Sequence, residues 1–123
     1  MAHILIVEDE KDAADALAGY LRRKGYQVAW AGNGRDALMA VLSNTPDLMI
    51  LDLRIPELDG AGLLKVIRSY LRLKDLPVLV WTALLNGPMV TVVRNEGIPI
   101  FTKASTTFDT MNEAIQRALP AMQ

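Results

Sequence analysis

Three carboxylates stand where apolar runs end. Glu8 and Asp9 follow "HILIV" (residues 3–7), and Asp52 closes "LMILD" (residues 48–52). A hydroxyl, Thr82, and an ammonium, Lys103, close two later runs, "VLVW" and "PIFT". An unpaired buried carboxylate is costly, so a core-type strand that runs straight into Asp52 needs a reason. Three carboxylates brought together repel, and one resists ionising unless a cation joins them. A hard divalent ion such as Mg²⁺ resolves that conflict, with oxygen ligands and some retained water. Asp9 and Asp52 would bind it directly, Glu8 directly or through water, and the carbonyl of Arg54 could add a further oxygen. A carboxylate is also a nucleophile toward phosphorus. Phosphoryl transfer asks mainly for positioning and for neutralised charge on the transferring oxygens. Mg²⁺, Lys103 and the Thr82 hydroxyl would take one oxygen each, and the small Ala83 leaves room for a donor. Asp52 is then the acceptor, held at a strand tip that solvent can reach.

For these tips to meet, the elements between them have to bring the strand ends to one edge. Apolar runs at 3–7, 27–31, 47–52, 77–81 and 99–103 read as strands, and the near-continuous ones as central parallel strands. Helical spacing marks residues 11–25 (Ala13, Leu17, Tyr20 and Leu21 inward) and 35–44 (Leu38, Val41 and Leu42). It also marks 59–75 (Leu63, Leu64, Ile67 and Leu71, with Asp59 as cap) and 108–120 (Met111, Ile115 and Leu119). Residues 84–97 predict a short helix: Pro88 suits a first turn, although Val90, Thr91, Val92 and Val93 are β-branched. Strands alternating with helices give an α/β fold with helices on both faces of a parallel sheet. Right-handed crossovers favour a doubly wound arrangement. Strand order 2-1-3-4-5 would gather the five polar side chains beyond the carboxyl ends, where such sheets bind ligands.

Composition sets the outer bounds. The chain has 123 residues, is 51% hydrophobic and 22% charged, and carries a formal net charge of -1. That is the size of one domain, read here as a single unit over 1–123, with enough apolar content for a core. The charge argues against a nucleic-acid surface built on bulk positive potential. With no cysteine, disulfides and thiolate metal sites are excluded. No apolar run approaches the length of a membrane span, and the N-terminus lacks the pattern of a secretory signal, so a cytoplasmic protein is expected.

The segments "ILIVEDE", "ILDLRIPELDG", "VLVWTA" and "TK", in this order, resemble the receiver domain of two-component response regulators, and together they cover nearly the whole chain. The resemblance implies a flavodoxin-like fold of five strands and five helices. It implies Mg²⁺-dependent transfer of a phosphoryl group onto Asp52 from a sensor histidine kinase or a histidine phosphotransfer protein. It also implies a switch in which Thr82 moves toward the phosphate and alters the face formed by helix four, strand five and helix five. The reader of that face would be a downstream protein or an output domain. A receiver promotes its own phosphorylation and dephosphorylation, without being an enzyme acting on a separate substrate.

The chain departs from the family at two places. Ala104 follows Lys103 where the family usually has Pro, and a trans bond is expected there. Ile100 occupies the usual position of the switch aromatic, and Phe101 should face the other side of the strand. These departures motivate an alternative, a receiver-like adaptor or dimerisation module that works without phosphorylation. A phosphatase of the haloacid dehalogenase type would need an acid where Arg54 stands. A flavodoxin would not lead its first strand into Glu-Asp-Glu. Elsewhere the plain reading prevails. His3 is structural, Trp81 is core, with the sharper alternative that its emission reports binding in the neighbouring pocket, and Trp30 packs under a helix beside strand two. Leu84 should shield an acyl phosphate from water.

Overall fold

The computed structural model describes residues 1–119. Strands β1 (His3–Val7), β3 (Leu48–Leu51) and β4 (Val78–Thr82) are buried almost throughout. Their apolar runs have both faces covered by helices, as central parallel strands require. β2 (Gln27–Ala31) and β5 (Ile100–Thr102) are less buried and flank them. All four pairings are parallel and the order is β2-β1-β3-β4-β5, as the sequence predicts. Strand order reverses between β1 and β3, so a crevice opens beyond their carboxyl ends.

Five helices, α1 (Lys11–Arg23), α2 (Gly34–Ser43), α3 (Gly60–Ser69), α4 (Pro88–Asn95) and α5 (Phe108–Ala118), close two cores. Leu5, Val7, Met49 and Leu51 point to α2, α3 and α4, while Ile4, Ile6, Leu48 and Ile50 point to α1 and α5. That alternation is the two-residue period of a strand covered on both sides. Side-chain caps fix three helix starts. Asn33 accepts from the Asp36 N–H, Asp59 from the Gly62 N–H, and Thr107 from the Thr110 N–H. The β-branched run does form a helix, with Val90 and Val93 buried three residues apart and Val92 exposed. Among the described residues no helix is long and apolar enough to cross a membrane, and no peptide bond is cis.

Several expectations are corrected. α3 stops at Ser69 instead of reaching 75, because Tyr70 adopts an extended backbone, and Leu71–Leu73 form a separate 3-10 turn. The Arg68 guanidinium donates to the carbonyls of Leu73 and Leu76 at 3.2 and 2.7 Å and holds that turn. The break changes the helical phase, so Leu71 is 83% exposed and Leu73 takes the inward place. Trp30 is not under a helix: it is 45% exposed, and its indole N–H donates to the Glu8 carbonyl. The last helix ends at Ala118, and Pro120 lies outside the described residues.

The segment from Asp52 to Gly60 is pressed against the start of α2 and folds back on its own first residues. A Cβ on Gly34 would stand 1.7 Å from the Leu58 carbonyl oxygen, and one on Gly60 would stand 2.6 Å from Leu53 Cα. The Gly34 N–H donates to the Pro56 carbonyl at 3.1 Å. Glu57 turns this loop with φ 74, a conformation uncommon for a non-glycine residue.

Candidate functional site

The ladder hydrogen bonds continue one step beyond the strands. The Glu8 N–H donates to the Ala31 carbonyl and the Asp52 N–H to the Val7 carbonyl, both at 3.0 Å. The first ties the tip of β1 to β2, and the second holds the tip of β3 beside β1. One carboxylate oxygen from each of Glu8, Asp9 and Asp52 consequently lies within 4.8 Å of the others. From the far side of β4, the Lys103 N–H donates to the Thr82 carbonyl at 2.9 Å, which aims the side chain back over the strand tips. Its Nζ donates to Asp52 Oδ2 at 2.9 Å and ion-pairs with Glu8 Oε1.

Three of the four carboxylate oxygens of the acidic pair at the strand tips accept hydrogen bonds, and the fourth, Glu8 Oε1, is buried with the Lys103 ion pair as its contact. Asp52 Oδ1 accepts from the Arg54 N–H at 3.2 Å, and Glu8 Oε2 accepts from the Glu10 N–H at 3.1 Å. Glu8 is fully buried, and Asp52 is 5% exposed. Burial pushes the Glu8 carboxyl above its ordinary value; the Asp52 charge adds to the rise, and Lys103 and the Glu10 N–H act against it. Burial alone would pull the Lys103 ammonium down, but its bonds to Glu8 and Asp52 together outweigh that and hold it above its ordinary value.

A cavity of ≈ 360 Å³ opens over the strand tips, lined by Asp9, Glu10, Asp52, Arg54, Ala83 and Lys103. Five of the residues expected at the site are thus gathered at one sheet edge: Glu8, Asp9, Asp52, Arg54 and Lys103. Glu8 forms the floor behind Lys103 instead of lining the opening. Thr82 is at the same edge but buried, its hydroxyl accepting from the Leu84 N–H at 3.3 Å. Leu84 packs against the core beneath α2, α3 and α4 and is not among the residues that line the cavity.

Three features of the site escaped the sequence reading. Glu10 lines the cavity, and its position directly after the acidic doublet was the available signal. The Trp30 N–H pins the Glu8 carbonyl at 2.6 Å. The Trp81 ring lies 5.0 Å from Lys103 Nζ, a contact between strands that no local spacing encodes.

The donor set fits a hard divalent cation. It consists of carboxylate oxygens, with no sulfur or imidazole, and three carboxylates face one bonded ammonium. This is an acidic cluster of the kind that holds Mg²⁺ in receivers, and it is consistent with a phosphoacceptor site.

Comparison with known proteins points the same way. The model of the response regulator receiver domain family matches residues 4–116. The response regulator SaeR of Staphylococcus aureus is 36% identical over 83 residues, covering 68% of this chain and 35% of that protein. The chain therefore spans about a third of the length of the curated relatives it matches. The receiver domain of a signal transduction histidine kinase from Syntrophus aciditrophicus superposes with a TM-score of 0.87 at 31% identity, over 97% of this chain and 90% of that one. The chemotaxis protein CheY4 of Vibrio cholerae gives 0.85 at 25% identity, over 97% and 99%. With the sheet order, the acidic tips of β1 and β3 and the family match in agreement, the chain belongs to the response regulator receiver domains of two-component signalling.

Proposed function

We propose that this receiver is a phosphorylation-controlled switch whose acceptor is Asp52. The bond from Lys103 Nζ to Asp52 Oδ2 at 2.9 Å, beside Asp9 and open to the cavity, carries this reading. Asp9 and Asp52, the Arg54 carbonyl and, directly or through water, Glu8 are the groups that would hold Mg²⁺, which when bound supplies neutralising charge for the phosphoryl oxygens. An Asp52 oxygen attacks phosphorus, the P–N bond of a donor phosphohistidine breaks, and the imidazole nitrogen leaves with the electron pair. Lys103 stabilises the charge on the transferring oxygens from a fixed position. The Thr82 hydroxyl, engaged with the Leu84 N–H, exchanges that bond for a phosphoryl oxygen. Its movement alters the face of α4, β5 and α5.

The donor is a sensor histidine kinase or a histidine phosphotransfer protein, and the reader is a downstream protein or an output domain, in the cytoplasm. Acetyl phosphate with Mg²⁺, followed by intact mass, tests the reading. One phosphoryl group is gained, and Asp52→Asn abolishes the gain.

One observation favours a second reading. Ile100 packs with the core under α2, α3 and α4, and Phe101 with that under α1 and α5, so no aromatic stands at the family's switch position. Persistent absence of the mass gain, with Mg²⁺ and a cognate kinase present, would favour an adaptor or dimerisation module independent of phosphorylation.

A further inference from the structure

Lys103 reaches the strand tips from β5, which is only three residues long, and the loop that follows it is largely exposed. Two carboxylates attract its ammonium from one side. On another side lies the face of the Trp81 indole, with the ring centroid 5.0 Å from Nζ. Trp81 comes one residue before Thr82 on β4 and is 6% exposed. Its ring is braced edge-on by Phe108, centroids 6.1 Å apart, and Phe108 is braced by Tyr20 at 5.4 Å. Tyr20 in turn bonds through its hydroxyl to Asp109.

Space filling alone accounts poorly for a tryptophan here. Its Nε1 is buried and has no hydrogen-bond partner among the described residues. Phe, Leu or Met in the same place would fill the core without that cost. What the indole adds is the strongest π-face among the side chains, turned toward a cation. We propose that Trp81 is a positioning residue for Lys103: its ring face holds the ammonium over Asp52, so that the charge is aimed at the phosphoryl group before the donor arrives. This deepens the reading of Asp52 as acceptor and rests on it. The role is indirect, since Trp81 touches Lys103 and not the reacting oxygens.

The test replaces Trp81, by nonsense suppression in the full chain, with mono-, di- and tetrafluorotryptophan. Fluorine drains the ring face while nearly preserving its shape, so a space-filling role is left almost unchanged. Phosphorylation by acetyl phosphate at saturating Mg²⁺ is followed by intact mass. The maximal rate is expected to fall with each added fluorine, by about threefold to tenfold across the series. Half-saturation by acetyl phosphate is expected to change little. In parallel, proton NMR of the native protein should show the Lys103 ε-methylene protons displaced upfield by the ring current. They should be less displaced in Trp81→Phe and return to ordinary positions in Trp81→Leu. A rate indifferent to fluorination, or undisplaced ε-methylene protons in the native protein, overturns the proposal. If the native chain takes no phosphoryl group, the acceptor reading fails by itself. The ε-methylene signals then decide alone whether Trp81 holds the ammonium.

Discussion

The Lys103 ammonium stands between two carboxylates that would otherwise repel, and one of them, Glu8, has no access to solvent. Removing one partner of a buried ion pair leaves the other charge uncompensated, which costs about 3–5 kcal/mol. Lys103→Met is therefore expected to lower unfolding stability in urea by about that amount. Added Mg²⁺ should restore more of the stability in this variant than it adds to the native chain, because it replaces the missing positive charge. A second residue responds to alkali. The hydroxyl bond to Asp109 pushes the Tyr20 phenol up to about 12, with burial contributing. The folded state thus favours the protonated phenol, and the stability it brings is fully present below about pH 10, the unfolded value. That stability is lost as the pH rises through about 12. Ultraviolet titration of the native protein should show a phenolate phase near 12, which Tyr20→Phe removes.

At the scale of elements, the loop between β3 and α3 is set by close backbone approaches. Gly34 opens α2 against the Leu58 carbonyl with no room for a Cβ. Gly34→Ala has to push back the loop that presents Asp52 and Arg54, and it should cost roughly 2–4 kcal/mol in thermal or urea unfolding. Removing the α3 cap with Asp59→Ala should cost about 1 kcal/mol, as loss of a bonded N-cap usually does. Most elements were legible because their periodicity is strong. β1, β3 and β4 announced themselves as unbroken apolar runs, and Asp59 as a cap. The end of α3 was not legible, since Leu71 continues the helical spacing on paper. Only the extended backbone at Tyr70 and the Arg68 bonds to Leu73 and Leu76 show where the helix gives way. Trp30 misled for a related reason: its size suggested burial, whereas its N–H is engaged by a backbone carbonyl at the open sheet edge.

Over the whole molecule, binding at the sheet edge is coupled to folding through mass action. A ligand of the folded state present at tenfold its Kd adds about 1.4 kcal/mol, or about 5 °C in Tm for a domain of this size. Mg²⁺ should raise the Tm by that order, and Asp9→Asn, which removes the exposed carboxylate of the cluster, should largely abolish the rise. The gathering of Glu8, Asp9, Asp52 and Lys103 was legible because each follows an apolar run, and a parallel sheet sends all such ends the same way. What stayed hidden was how the four divide their contacts, with Glu8 behind Lys103 and Trp81 beside it, because those contacts join strands far apart in sequence. The pairing of Lys103 with Glu8 and Asp52 has a kinetic consequence. The acidic pocket is already shaped around Lys103 as its counter-charge, so a divalent ion would join groups that are in place and no segment would have to refold. Loading and unloading of the ion would then keep pace with its free concentration in solution.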